Sequence, residues 1–312
     1  VRPAKGRAAS SLLVLTLLLL PLAGCEQAST GAGCAKTPNP QAAAEGPPTA
    51  IMRDVGGGPA EYLIGVPGGT LVTMTEANGQ IPPVKVGDRV WFTVMGGTSG
   101  PLEVRTARLG ECSARVTDGT IGPADPHGNA IVVGSGSRWR MLDTAGNSLA
   151  DLEGIRGTWT PDGHLVEPSS TGGLAVYDDG GHRTDLTLPA GATTNGAFGP
   201  GHELITTDAG LASVDIQSGA MTQLPHSPTR PTNLEASPDA AFLSYFDLNR
   251  NPQLMRVSDG AVTPLPSPGP ATGITWSRDG TWVAVQSPYG GEVVRAADAR
   301  TTDIGPLIVI SW

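Results

Sequence analysis

Histidine and aspartate recur at the turns of this chain with a spacing that invites metal or acid–base chemistry. His127, His164 and His202 each fall beside a proline- or glycine-containing turn, and equivalent turns would bring three imidazoles, good zinc ligands, toward one face. Their offsets within the turn differ, which argues against convergence on one ion. Asp162, Asp239 and Asp279 also recur in this turn. Beside proline and glycine an aspartate accepts local backbone N–H groups and fixes the turn, so a structural role accounts for the recurrence. Residues 247–251, DLNRN, alternate oxygen-bearing side chains as a calcium loop does, but the later glycine and bidentate glutamate are missing. His202-Glu203 lacks a second histidine at the spacing of a zinc hydrolase, and there is no GxSxG elbow or glycine-rich phosphate loop opening a helix. The expectation is a chain with no catalytic residue, no metal and no cofactor.

The remaining reactive side chains are Cys25, Cys34 and Cys112. Arg2, Lys5 and Arg7 precede an apolar run over 11–20, too short to span a bilayer, and the run leads into Leu22-Ala23-Gly24-Cys25. This segment resembles the signal peptide and lipobox of bacterial lipoproteins. The resemblance implies that residues 1–24 are removed and that Cys25 becomes an acylated, palmitate-type N-terminus. Each buried acyl CH₂ contributes about 0.8 kcal/mol, so a multiply acylated cysteine is a stable membrane anchor. Residues 25–48, rich in Ala, Gly, Thr and Pro, read as a tether holding a body over 49–312 away from the membrane. The expected location is the outer face of the cell membrane, with membrane lipid as the first partner. Cys34 and Cys112 are then an even pair in a disulfide-permissive compartment, which makes a bridge between them a candidate, the alternative being two unrelated small residues.

Composition points to short strands and tight turns: Gly 43 and Pro 28 are high among 312 residues, while charged residues are only 16%. The net charge of −9 falls to about −12 once the three basic residues leave with the leader, which excludes nucleic acid as a natural partner.

Beyond the tether the chain repeats. Pro126-His127-Gly128, Pro161-Asp162-Gly163, Pro200-Gly201-His202, Pro238-Asp239-Ala240 and Arg278-Asp279-Gly280 follow at intervals of roughly 35–40 residues, the period of a four-stranded propeller blade. Short apolar runs follow the turns, as over 130–133, 204–206, 242–246 and 282–285, and each is too short for a helix. Residues 237–260, SPDAAFLSYFDLNRNPQLMRVSDG, and 274–280, ITWSRDG, resemble the TolB-type, WD40-like propeller repeat. The resemblance implies an all-β propeller of about seven four-stranded blades, with six or eight as alternatives. Trp159, Trp276 and Trp312 occupy equivalent strand ends and are expected to pack between blades.

Residues 307–312, LIVISW, match the inner strand around 273–276 but have no blade after them. They should complete the first blade, whose other strands come from 50–55, 61–66 and 70–75, and so remove two exposed sheet edges. Loops between second and third strands share a face with the blade-to-blade connections. They place Arg138, Trp139, Tyr245, Asp247, Asn249, Arg250, Asn251 and Tyr289 as candidates for a binding face. Two function classes remain. The resemblance implies a monomeric, non-catalytic propeller that binds an envelope protein or a small ligand. The alternative is a lactonase-like or quinoprotein-like enzyme, which needs inward carboxylates, histidines or an aromatic cofactor cradle.

Overall fold

The computed structural model describes residues 46–54, 61–73, 82–86, 89–95, 101–108, 113–153, 157–228 and 230–312. Residues 1–45, and with them the leader, Cys25 and Cys34, lie outside the described residues, as does Cys112.

The described residues form twenty-eight strands in seven four-stranded antiparallel sheets, with no helix among them. Six sheets take four consecutive strands each. The seventh is composite: Leu307–Ser311 pairs with Ala50–Asp54, which is followed by Tyr62–Gly65 and Leu71–Thr73. Met52 lies opposite Val309, and Arg53 opposite Ile308. Blade 1 is therefore built from both ends of the body, and the ring of blades closes through hydrogen bonds between residues some 250 apart in sequence. The inner strand is the C-terminal one, as the repeat required.

The second strand of each blade is buried on both faces, which is why these strands read as apolar runs without alternation. In blade 7, Val283 and Val285 pack toward blade 6 against Phe246 and Leu254, while Trp282 and Ala284 pack toward blade 1 against Met52 and Val309. A strand lends alternate side chains to two interfaces, so each blade is cemented to both neighbours. The tryptophans lie where expected. Trp159 packs between blades 3 and 4, Trp276 between blades 6 and 7, and Trp312 between blades 7 and 1. Trp276 stacks on Phe242 with ring centroids 6.5 Å apart, and its indole N–H donates to Ser244 Oγ at 2.9 Å.

The recurring turn joins inner to second strand and is built around a fully buried polar residue: Asp125, Thr160, Ser237 or Ser277. The backbone N–H groups of Phe242 and Trp282 donate to Ser237 Oγ and Ser277 Oγ, each at 2.9 Å. Those hydroxyls donate in turn to Asp239 and Asp279, each at 2.6 Å. The recurrent aspartates thus fix the turn from within. Asp162 also accepts the Gly201 N–H of the next blade at 2.7 Å, tying adjacent turns together.

Candidate functional site

The inner strands of blades 3 to 7 converge on a cavity of about 610 Å³ that runs along the propeller axis to the recurring turns. Trp159 and Trp276 line it, with Thr158, Asn195, Asn233 and Thr275. Its ionisable lining residues are Glu235 and Arg278.

Arg278 closes the turn end of the channel. It leaves the turn of blade 7 and donates from Nη1 to the Pro126 carbonyl of blade 3 at 3.1 Å and from Nη2 to the Lys85 carbonyl of blade 2. Enclosure draws its guanidinium below the ordinary arginine value, an effect that Asp125 opposes. Burial, and then the nearby Arg278, likewise lower Lys85.

Glu235 lies on the inner strand of blade 6, Thr232–Ala236, which bulges between Thr232 and Glu235 and holds Asn233 in the left-handed region at φ 49°. The side chain is open to solvent where it lines the cavity, yet protein surrounds it, and this enclosure pushes its carboxyl up to about 7.

A second unusual carboxyl sits behind the wall. The residue after each turn closure is apolar and buried in other blades, as Ile131, Leu165, Leu243 and Val283 show, but in blade 5 it is Glu203, 2% exposed. Glu203 Oε1 accepts the Gly196 N–H at 3.1 Å, the Thr158 hydroxyl also donates to this side chain, and Oε2 has no partner among the described residues. Burial pushes this carboxyl up to about 8 against those donors. By type and spacing Glu203 enters only in the His202-Glu203 pair that lacks its second histidine, and Glu235 does not stand out; the signal for Glu203 is a glutamate standing in an otherwise apolar column of the repeat.

The candidates on the opposite face divide. Trp139 and Tyr245 are 8% and 6% exposed, and their rings pack into the cores between blades 3 and 4 and between blades 5 and 6, so they offer that face little surface. The Trp139 indole N–H donates to the Gly136 carbonyl at 3.0 Å. Asp247 is turned into its own loop. It accepts the backbone N–H groups of Asn249 and Asn251 at 2.8 and 2.9 Å, and the latter bond is the chief cause that holds its carboxyl below the ordinary value. The Asn251 amide also donates to it at 3.2 Å. Outward surface is left to Arg138, Leu248, Asn249, Arg250, Asn251 and Tyr289, of which Leu248 is 66% and Tyr289 71% exposed. A groove of about 630 Å³ between the rims of blades 5 and 6 is lined by Pro225, His226, Leu248, Asn249 and Val262.

The histidines stay at their own turns. His127 Nδ1 is 3.8 Å from Asp125, His164 Nδ1 is 3.3 Å from Asp162, and His202 Nδ1 contacts the Pro200 carbonyl at 2.7 Å. Among the described residues no three His, Cys, Asp or Glu side chains gather at metal-binding distance.

Seven four-stranded sheets closed by a composite blade make this chain a seven-bladed β-propeller. No family model and no curated protein sequence matches it. Solved propellers are similar in fold. TolB from Acinetobacter baumannii matches at 14% identity over 81% of this chain and 78% of that one, with a TM-score of 0.48. The WD40 propeller domain of Doa1 matches at 10% identity over 78% and 86%, with a TM-score of 0.47. The C-terminal WD40 domain of Sif2 matches at 14% identity over 79% and 78%, with a TM-score of 0.49. Membership of the propeller class rests on the chain's own sheets and their closure.

Proposed function

We propose that this protein is a lipid-anchored, non-catalytic binding propeller, held at the outer face of the cell membrane through an acylated Cys25, and that it presents its body to an envelope protein or a small ligand. The observation that carries the binding reading is the make-up of the axial cavity. Two tryptophans and several amide and hydroxyl side chains line it, and its two ionisable residues do not form an acid–base couple because Arg278 is committed to backbone carbonyls. Such a lining supports recognition through apolar area and directed hydrogen bonds. The leader with its Leu22-Ala23-Gly24-Cys25 ending supports the anchor. One observation favours the enzymatic alternative, a lactonase-like or quinoprotein-like propeller: an enclosed carboxyl near 7 in a cavity is what a general acid or base requires.

A photo-crosslinking residue placed at Asn249 or Tyr289 in cells tests the reading. A discrete adduct that disappears in Cys25→Ala is expected. Purified protein that hydrolyses a lactone or carries a quinone absorbance, with no adduct from either position, would reverse the assignment.

A further inference from the structure

Of the two charges lining the axial cavity, the structure accounts for only one. Arg278 has its carbonyl partners on the far wall, with Asp125 close enough to favour its charge. The Glu235 carboxylate accepts no hydrogen bond and faces no cation among the described residues, and enclosure alone shapes its titration. Its place in the ring is singular. The inner-strand residue opposite the start of the second strand is Trp159, Ala197, Ala236 or Trp276 in blades 4 to 7, so the residue before it forms a row of Thr158, Gly196, Glu235 and Thr275. Glu235 is the only charge in that row. The bulge that sets it there places Asn233 in the left-handed region, which asparagine adopts more readily than other non-glycine residues. A strand bulge that delivers a carboxylate without a partner among the described residues to a cavity is poor packing and good recognition. Trp159 and Trp276 line the same cavity and offer aromatic surface, which attracts organic cations.

We propose that the axial channel binds an organic cation, a primary ammonium or guanidinium on a short aliphatic stem, with Glu235 as its counter-ion. The cation is either a lysine or arginine side chain of a partner protein or a free diamine; both present the same charged head to the same carboxylate. This inference rests on the binding reading of the propeller and names what the channel recognises. A cation at Glu235 supplies the charge that the walls do not.

The test is calorimetric titration of the full-length protein in detergent with N-acetylarginine amide, 1,4-diaminobutane and, as the neutral isostere, N-acetylcitrulline amide. One of the two cations should bind in the millimolar range or tighter, and the neutral isostere at least about tenfold more weakly. Tighter binding of the arginine derivative identifies a protein side chain as the source, and tighter binding of the diamine identifies a free polyamine. Glu235→Gln should weaken the better cation at least about tenfold, and Glu235→Asp should restore part of the loss. Equal binding of the citrulline compound, unchanged affinity in Glu235→Gln, or no heat from either cation up to about 10 mM would overturn the proposal. The crosslinking experiment from Asn249 and Tyr289 does not use this carboxylate, so its failure is a separate result.

Discussion

Glu203 is the residue on which local chemistry and stability are most tightly linked. Its carboxyl is raised to about 8 in the folded protein from an ordinary value of 4.5, so the folded state binds the proton more tightly than the unfolded chain. That contribution to stability is complete below the unfolded value and is lost as pH rises through the folded one, a loss on the order of 5 kcal/mol. Glu203→Gln keeps an oxygen for the Gly196 N–H and removes the charge. The variant and the parent should melt together at pH 5, and at pH 9 the variant should melt higher by roughly 5 °C or more. Parallel melting profiles across that range would show that Glu203 is not the titrating group. At this scale the sequence was only partly legible. The recurrent aspartates and the tryptophans at strand ends announce themselves by type and spacing, but the direction in which Glu235 points depends on the bulge at Thr232/Glu235 in its own strand, and the Gly196 N–H that meets Glu203 is set by the one at Thr194/Gly196. A one-residue shift exchanges the two faces of a strand, and neither bulge carries a motif.

The elements were far more legible, because a repeat reports its own errors. The first blade, expected over 50–55, 61–66 and 70–75 with 307–312 as its inner strand, folds as Ala50–Asp54, Tyr62–Gly65, Leu71–Thr73 and Leu307–Ser311. Apolar runs without a partner blade and the cost of a bare sheet edge suffice to infer that pairing. Deleting 307–312 should therefore lower the melting temperature by roughly 10 °C or more, or cause aggregation, since it opens the ring and bares the edge of Ala50–Asp54. A truncated protein that melts like the parent would refute closure by this strand. The turn of blade 6 permits a finer test. Ala240 stands where blade 7 has Gly280 and adopts φ 57°, a left-handed conformation that a Cβ makes costly. Ala240→Gly should stabilise the protein by about 0.5–1 kcal/mol, read as a higher denaturation midpoint at unchanged slope. A lower midpoint would mean that the strain is absent or that flexibility gained in the unfolded chain outweighs it.

For the whole molecule, fold and function separate. A propeller ring is a scaffold on which many sites have been built, so the seven blades alone do not name a ligand. What gives this ring a direction is the combination of Cys25 at the end of an apolar leader, a proline- and glycine-rich stretch before the first strand, and an axial cavity with one carboxylate that has no partner among the described residues. The central claim is that the propeller works while tethered to a membrane surface by lipid, and intact-mass spectrometry of the protein isolated from its native membrane fraction tests it most directly. A mature chain that begins at Cys25 and carries the mass of its acyl groups is predicted, with Cys25→Ala recovered unacylated and outside that fraction. A mature protein with an unmodified Cys25, or one that begins at another residue, would contradict the account.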